Sequence, residues 1–326
     1  MPYDAGAGEL KPVFSVVAPA FNEEANLLAF HRRLARTMDG LGECWELVLV
    51  NDGSTDATLG VMQGLRARDP RIAVVNLSRN FGKEIATTAG LDHARGEAVI
   101  VIDVDLQDPP ELIPELVAAW RLGHDMVYAR RRRRAGEGWL KRASAAAFYR
   151  VLDRAASVPI PRDTGDFRLI SRRAVDALAS LRERHRFMKG LFAWVGFPSC
   201  AVEYDRAPRH AGSTAWSYWK LWNLALEGIT GFSTIPLRAA MYLGLLVGFA
   251  AALYLAQLVI RTLAFGNQVP GYPSLMAVVL FLGGAQLVTL GIIGEYLGRV
   301  FNEVKQRPLY LVERHLRSEA VPVQSS

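Results

Sequence analysis

The sequence predicts an α/β fold: a cytoplasmic domain built on a mostly parallel β-sheet, followed by two transmembrane helices. Through residues 13–129, runs rich in valine and isoleucine alternate with helix-like stretches, a pattern typical of a parallel sheet covered on both faces. Two later segments, 239–260 and 275–294, contain no charged residue. Each is long enough to cross a hydrocarbon core of about 30 Å at about 1.5 Å per residue.

The composition excludes some classes of protein. Hydrophobic residue types make up 51% of the 326 residues and charged types 21%, which excludes a disordered chain because enough apolar surface can be buried. The net charge of +6 suits an anionic partner such as phosphates, an acidic membrane face or nucleic acid. The two cysteines, Cys44 and Cys200, form no CxxC pair, which disfavours a zinc cluster or a disulfide framework.

The apolar runs place the elements of the first domain. Helices are predicted to begin near Glu23, Asp56, Lys83, Pro110 and Gly138. They alternate with strands, as expected for βαβ units. The predicted strands are 13–19, 46–51, 72–77, 98–103 and 125–129.

Polar residues follow three of these strands, at 19–23, 51–54 and 103–105. Ligands of parallel sheets bind beyond the carboxyl ends of the strands, so a nucleotide or phosphate site is predicted there. No GxGxxG follows the first strand and no GxxxxGK[ST] occurs. A dinucleotide-binding unit and a P-loop enzyme are therefore disfavoured.

Two of these strand exits carry acidic groups suited to ligand binding. Asp103 and Asp105 lie on the same side of an extended segment, and Gln107 extends the row. Such hard oxygen ligands suit Mg²⁺ or Mn²⁺ held together with substrate phosphates, although a solvated turn is the alternative. At the second exit, Asp52 could accept hydrogen bonds from a nucleobase or ribose. That exit also reads as a turn in which Ser54 or Asp56 caps the next helix.

The charges around the two apolar segments predict their orientation. Arg238 precedes the first, Arg299 and Lys305 follow the second, and the link 262–274 contains no charged residue. The positive-inside rule then places both flanks and the first domain in the cytoplasm. Arg261 is the one dissenting charge, and a pair of buried core helices is the alternative reading.

The predicted organisation has four parts. Residues 213–236 contain the run WSYWKLWNLAL, whose aromatic rings favour the membrane interface; a core helix is the alternative. The remaining parts are a cytoplasmic domain over 1–212, a transmembrane hairpin over 237–298 and a cytoplasmic tail over 299–326.

Six motifs then occur in a characteristic order: PAFNEE (19–24), NDGSTD (51–56), LSRNFGKE (77–84), DVDLQDPPE (103–111), TGDFRL (164–169) and RHRFMKG (184–190). Together they resemble inverting family 2 glycosyltransferases of the Rossmann-like GT-A fold. The likeness is in particular to polyprenyl-phosphate glycosyltransferases, such as bactoprenol glucosyltransferases and dolichol-phosphate mannose synthases. The two-span tail and residues 294–308 resemble the bactoprenol branch.

The resemblance implies a membrane enzyme. It would transfer a hexose, with glucose favoured, from a UDP-sugar to undecaprenyl phosphate at the bacterial inner membrane, for cell-envelope glycan or O-antigen modification. Another sugar on the same lipid, a processive polysaccharide synthase and a non-catalytic membrane protein that binds a nucleotide sugar are the alternatives. The implied cofactor is Mg²⁺ or Mn²⁺; a homo-oligomer is possible, and no nucleic-acid partner is expected.

The resemblance also implies roles for individual residues. The metal ligands would be Asp103, Asp105 and Gln107. One departure from the family pattern is Asn51, where an aspartate is common; another is Ala215, where the family often has a lysine. The residues implied to bind the UDP-sugar are Pro19, Phe21, Glu23, Asp52, Lys83 and Asp103.

At the acceptor, the implied phosphate ligands are Arg131, Arg134 and Arg168. Asp166, Asp105 and Arg131 are the implied catalytic residues. Asp166 would act as a base or orient the acceptor, and its alternative is an ion pair with Arg168 or a neighbouring arginine. The arginine run 130–134 has three readings: a nucleic-acid patch, a solvated charged face, or a phosphate-binding group at the membrane surface. The favoured reading is mixed, with some arginines on the acceptor phosphate and the others near lipid headgroups, where each contributes about 1 kcal/mol.

Overall fold

The computed structural model describes residues 11–131, 164–184, 186–204, 235–265 and 271–319. In these ranges eight strands form one sheet. The strands are β1 (Phe14–Ala20), β2 (Trp45–Asn51), β3 (Ile72–Leu77), β4 (Ala98–Val101), β5 (Met126–Arg131), β6 (Thr164–Ser171), β7 (Ser199–Tyr204) and β8 (Val312–Leu316). Their order across the sheet is β7-β5-β6-β4-β1-β2-β3-β8.

The helices of the described ranges follow the predicted alternation. All five predicted strands and the helix starts near Glu23, Asp56, Lys83 and Pro110 are confirmed within about two residues, while the start near Gly138 lies outside the described residues. The helices are α1 (Glu24–Asp39), α2 (Thr58–Arg68), α3 (Lys83–His93), α4 (Ile113–Arg121, after a 3-10 turn at Pro110–Leu112), α5 (Arg172–Ser180), α6 (Met188–Trp194), α7 (Ile235–Phe265) and α8 (Tyr272–Val304).

The centre of the sheet is parallel, with β1 paired to β2 and β4, and β2 paired to β3. Successive side chains of a strand point to opposite faces, so both faces must be covered. Val16 and Leu47 pack in one apolar layer, with α1, α2 and α4. Val17 and Val48 pack in the other, with α3, α5 and α6. This double burial explains the continuous valine and isoleucine runs.

One antiparallel strand interrupts the parallel pairing of the sheet. Strand β6 lies between β4 and β5 and is antiparallel to both, with Val101 opposite Arg168. Strand β7 then pairs with β5 in parallel at the sheet edge. The sequence analysis missed β6, β7 and β8 as strands. The antiparallel register of β6 brings its first residues to the edge where β4 ends, and this places TGDFRL beside DVDLQD.

The chain end returns to the first domain after α8. Strand β8 pairs with β3 in an antiparallel ladder that sets His315 opposite Val75. Beyond it, the buried Ser318 hydroxyl donates to Glu46 Oε2 at 2.6 Å and accepts from Arg95 Nη2 at 2.8 Å. The predicted tail therefore contributes a strand and a buried polar contact to the domain that carries the site.

We expect Ser318→Ala to lower the free energy of unfolding by roughly 1–3 kcal/mol, because it removes a donor from the buried Glu46 carboxylate. Thermal or urea unfolding of the whole chain in detergent measures this. Ser180→Ala is the matched control, since the exposed Ser180 hydroxyl donates only to Ala177 O and its loss should change stability by less than about 0.5 kcal/mol. Equal effects of the two variants would show that the chain end does not stabilise the domain.

The two predicted spans lie on the long helices α7 and α8. Among the described residues, the one helical stretch long and apolar enough to cross a membrane is Phe281–Val304; α7 contributes a shorter apolar stretch, Ala240–Ala251. Large apolar side chains such as Leu246 and Phe281 are more than 60% exposed, which marks a surface for lipid or a partner. The two-pass topology stays a prediction, and residues 213–234 of the predicted interfacial segment lie outside the described residues.

Candidate active site

The predicted donor residues lie at one edge of the sheet. Pro19 is buried near the end of β1, Phe21 just beyond it is 45% exposed, and Glu23 is half-buried. Strand β2 ends next to them, where Asp52 N donates to Ala20 O at 3.0 Å. Because β1 and β2 are parallel, their carboxyl ends form one wall of a shared crevice.

Asp52 holds the loop that leads into α3. It is 2% exposed, and its carboxylate accepts from Phe81 N at 2.7 Å and from Gly82 N at 3.0 Å. Burial raises the pKa of Asp52 above its ordinary value, and these two amides oppose the rise. The predicted contact of Asp52 with a nucleobase or ribose stays a prediction.

Glycine is required at position 53, where the turn after β2 approaches the loop that leads into α3. Its φ is +65°, and a Cβ there would lie 2.4 Å from the backbone of Arg79 and Asn80. Only glycine tolerates both the left-handed backbone and that close approach. In the same turn, Asp56 Oδ1 accepts from Thr58 N at 3.0 Å. The N-cap residue of α2 is Ala57, with no side-chain capping hydrogen bond, so the expectation that Ser54 or Asp56 caps this helix is wrong.

A lysine joins two carboxylates at the centre of the crevice. Lys83 Nζ, from the first residue of α3, lies 2.7 Å from Asp103 Oδ2 and 2.5 Å from Asp166 Oδ2. Asp103 follows β4, and Asp166 is near the start of β6. Three elements distant in the sequence thus place one cation between two anions, as in a charge-assisted bridge.

The three charges set one another's protonation. Burial raises the pKa of Asp103, as does the charge of Asp166, while Lys83 opposes the rise. Burial acts against ionisation of Asp166 as well, but the charges of Lys83, Lys189 and Arg168 hold the pKa of Asp166 well below its usual range. Burial disfavours the charged form of Lys83, yet the two carboxylates raise its pKa. The pKa shifts of Lys83 and Asp166 both favour the ionised forms, so Asp166 is an ion-pair partner and a weak base.

The structure gives Asp166 an ion-pair partner other than the expected arginine. The alternative reading paired it with Arg168 or a neighbouring arginine, whereas the structure pairs it with Lys83. Arg168 is buried, donates through Nη2 to Gly165 O at 3.0 Å and lies over the Phe192 ring. Burial lowers the pKa of Arg168 to about 10. Its role toward the acceptor phosphate stays a prediction.

Two charged residues of the cluster were missed by the sequence analysis. Burial and the charge of Asp166 raise the pKa of Glu84 to about 7. Burial lowers the pKa of Lys189, near the start of α6. Both residues belong to motifs already quoted, LSRNFGKE and RHRFMKG. The charged residues of these two motifs were the sequence signal that could have identified Glu84 and Lys189 as site residues.

The chemistry of the strand exit after β4 fits a hard divalent cation. Asp105 is buried, its Oδ1 accepts from Gln107 N at 3.1 Å, and Leu106 between them has a left-handed φ of +61°. The described residues contain no group of three histidine, cysteine or acidic side chains placed to hold a metal. One or two carboxylates completed by substrate phosphates are the usual arrangement for Mg²⁺, and Asp103 and Asp105 supply them.

The predicted acceptor arginines are described only in part. Arg130 of β5 pairs with Thr164 of β6, and Arg131 with Tyr204 of β7. This register brings the backbone of Arg131 to the edge that carries Asp166. Arg134 lies outside the described residues, as does Ala215.

Two family models match the chain. The model described as glycosyl transferase family 2 matches residues 15–179, and the model described as GtrB C-terminal hairpin matches residues 235–300. The first range contains all the strand exits described above, and the second contains most of α7 and α8.

Several relatives are similar over nearly their whole length. An uncharacterised glycosyltransferase of Synechocystis sp. is 53% identical, covering 95% of this chain and 98% of the relative. The bactoprenol glucosyl transferase of Shigella phage SfII is 49% identical, covering 93% and 98%. The prophage bactoprenol glucosyl transferase homolog of Escherichia coli K12 is 48% identical, covering 92% and 98%.

A solved structure is more distantly similar. Glucosyl-3-phosphoglycerate synthase of Mycobacterium tuberculosis, in complex with Mn²⁺, UDP-glucose and phosphoglyceric acid, is 22% identical with a TM-score of 0.45. The similarity covers 67% of this chain and 78% of that chain.

Proposed function

This chain belongs to glycosyl transferase family 2, and from that premise we propose that it transfers glucose from UDP-glucose to the phosphate of a bactoprenol-type polyprenyl phosphate. One observation carries the proposal: proteins named bactoprenol glucosyl transferase share 48–49% identity with it across both the first domain and the hairpin. The aligned region includes both the residues of the crevice and the apolar helices.

The proposed reaction forms a bond from an acceptor phosphate oxygen to the anomeric carbon of glucose. The bond from that carbon to the donor diphosphate breaks, and UDP leaves with the electron pair. A phosphate monoester has a second pKa near 6 and is largely dianionic at pH 7, so the attack needs no strong base. The weakly basic Asp166, held by Lys83, agrees with a positioning role.

The charge of the leaving diphosphate must be balanced in the crevice. Asp103, Asp105 and Gln107 are the residues that would hold Mg²⁺ or Mn²⁺, which when bound neutralises the leaving group. Lys83 Nζ is a second cation at the same place, because it contacts Asp103 directly. The Lys83 charge would add to that of the bound cation and stabilise the departing UDP.

The membrane placement is also part of the proposal. The exposed apolar side chains of α7 and α8 support a two-pass hairpin in a bacterial cytoplasmic membrane, with the family 2 domain on the cytoplasmic side. A polyprenyl phosphate presents its phosphate at headgroup height, so a crevice anchored there meets the acceptor without extracting it from the bilayer. A homo-oligomer is compatible with the same exposed surface.

The test is transfer by membranes that contain the protein. Membranes supplied with polyprenyl phosphate are incubated with UDP-glucose, UDP-galactose, UDP-N-acetylglucosamine or GDP-mannose, and the extracted lipids are analysed by mass spectrometry. We expect a hexosyl polyprenyl phosphate from UDP-glucose, at a rate at least tenfold above that of any other donor. Membranes without the protein control for host enzymes. A faster transfer from another donor would overturn the choice of glucose, and no lipid product from any donor would overturn the acceptor.

A further inference from the structure

A cavity lies beside the described carboxylate cluster, against the start of α3. Its volume is about 290 Å³, near the lower end of the range for small-ligand pockets. It lies between the first turn of α3 and the segment before α6, and RHRFMKG supplies that segment. Its lining includes Phe81, Lys83, Glu84, Arg184, Arg186 and Phe187.

Two arginines at this cavity have buried nitrogen atoms without an acceptor. Arg186 is only 8% exposed; its Nη1 donates to Leu181 O, but its Nε has no partner among the described residues. Arg184 is half-buried, and its Nη2 is likewise buried without a partner there. Buried polar groups are nearly always hydrogen-bonded, and an unsatisfied charged donor is especially costly. The lining carries three cations, Lys83, Arg184 and Arg186, and one carboxylate, Glu84, and this excess of positive charge suits an anionic ligand.

The cavity lies where the family 2 domain meets the long helices. Arg184 N donates to Glu303 Oε1 at 2.7 Å, and Glu303 is in the last turn of α8, within the apolar stretch Phe281–Val304. On its other side, the wall residue Lys83 contacts Asp103 and Asp166. A ligand here would therefore be next to both the membrane anchor and the reaction centre.

We propose that Arg184 and Arg186 bind the phosphate group of the lipid acceptor, with Phe81 and Phe187 against the first units of its chain. Guanidinium groups suit phosphate because their fixed donors match its oxygens, and aromatic walls suit an isoprenoid. The donor diphosphate has the same phosphate chemistry, but the contact with the end of α8 favours the ligand that comes from the membrane. This assignment rests on the proposed function.

The experiment measures binding separately from turnover. Full-length protein in detergent is titrated with farnesyl phosphate, with UDP, and with farnesol, which has the same chain without the phosphate. We expect Arg184→Gln and Arg186→Gln each to weaken farnesyl phosphate binding roughly 10- to 100-fold, as for lost charge-assisted hydrogen bonds. Binding of UDP and of farnesol should stay within about twofold of the unmodified protein.

Arg182→Gln is the matched control. It removes the same charge from the same segment, but Arg182 points to Asp92, with Nη1 2.7 Å from Oδ2, and its loss should leave farnesyl phosphate binding unchanged. If Arg186→Gln does not fold, the half-buried Arg184→Gln decides the test.

Three results separate the possibilities. Farnesyl phosphate affinities within twofold of the unmodified protein in both variants would overturn the site. A loss of UDP affinity in place of farnesyl phosphate affinity would overturn the acceptor assignment and give the site to the donor. Binding of farnesyl phosphate that depends on both arginines, in a protein that transfers no glucose, would support the site and contradict the proposed function.

Discussion

Asp105→Asn is expected to lower kcat roughly a hundred- to a thousandfold, the range found when a group that stabilises developing charge is removed. The substitution keeps the shape of the side chain and an oxygen that can accept from Gln107 N, so the turn after β4 should persist. It removes one negative charge from the oxygen set suited to a hard divalent cation. The measurement is kcat at saturating UDP-glucose and Mn²⁺, with circular dichroism to compare folding.

Asp108→Asn is the matched control for this result. Asp108 follows in the same segment and is also buried, at 2% exposed against 7% for Asp105. Its Oδ1 accepts from the Tyr204 hydroxyl, and an asparagine oxygen can do the same. Its kcat should stay within about fivefold of the unmodified protein. Wild-type turnover by Asp105→Asn, or undiminished turnover in excess chelator, would refute the metal assignment.

Lys83→Gln is expected to lower kcat about a hundredfold, because it removes two charge-assisted contacts at the centre of the crevice. It also leaves Asp103 and Asp166 without the cation between them. Since 45% of the Lys83 side chain is exposed, solvent screens part of the effect, and we expect the free energy of unfolding to fall by about 1–2 kcal/mol. Steady-state kinetics and thermal unfolding measure the two effects.

The double variant Lys83→Gln/Asp166→Asn separates stability from activity. Removing one carboxylate relieves the repulsion, so most of the lost stability should return while kcat stays low. Lys305→Gln is the charge-matched control, since Lys305 lies over the Phe301 ring, just beyond the last residue of α8. A Lys83→Gln variant with unchanged kcat would show that the bridge is only structural.

The pH dependence of the bridge follows from the signs of its pKa shifts. The pKa of Asp166 is lowered in the folded chain, so its contribution is present above the ordinary aspartate pKa, near 4, and is lost as pH falls toward the folded value. The pKa of Lys83 is raised, so its contribution is present below the ordinary lysine pKa, near 10, and is lost as pH rises beyond it. Both contributions are constant from about pH 5 to pH 9. Within that range Glu84 ionises near pH 7, and Lys83 helps to lower its pKa, so the stability difference between Lys83→Gln and the unmodified protein should increase as pH rises through about 7.

The sequence analysis located the strands whose signal is local. Strands β1 to β5 are predicted because a strand buried on both faces needs a continuous apolar run to fill both layers, and in β1 to β4 that run is rich in valine and isoleucine. The half-exposed β7 and the exposed β8 lack such a run. Strand β6 begins with TGDFRL. This sequence contains charged residues and no continuous apolar run, so it is not recognised as a strand from local pattern.

The residue types of the site were also accessible from the sequence, since polar groups at the ends of parallel strands converge by topology. That argument places Asp52 and Asp103 at one edge without coordinates. It does not place Asp166 there, because the antiparallel insertion of β6 decides which end of that strand faces the crevice.

By itself, the sequence determined the family, the parallel core and the set of charged side chains, because each depends on residue order and local periodicity. Only the tertiary structure decided which charges meet. Lys83, Asp103 and Asp166 come from a helix start, a strand end and an antiparallel strand, and their separation depends on register across the sheet. The return of β8 to β3 was likewise decided by long-range backbone pairing. A strand at a sheet edge gains its stability from hydrogen bonds to a distant partner, and no local pattern records that partner.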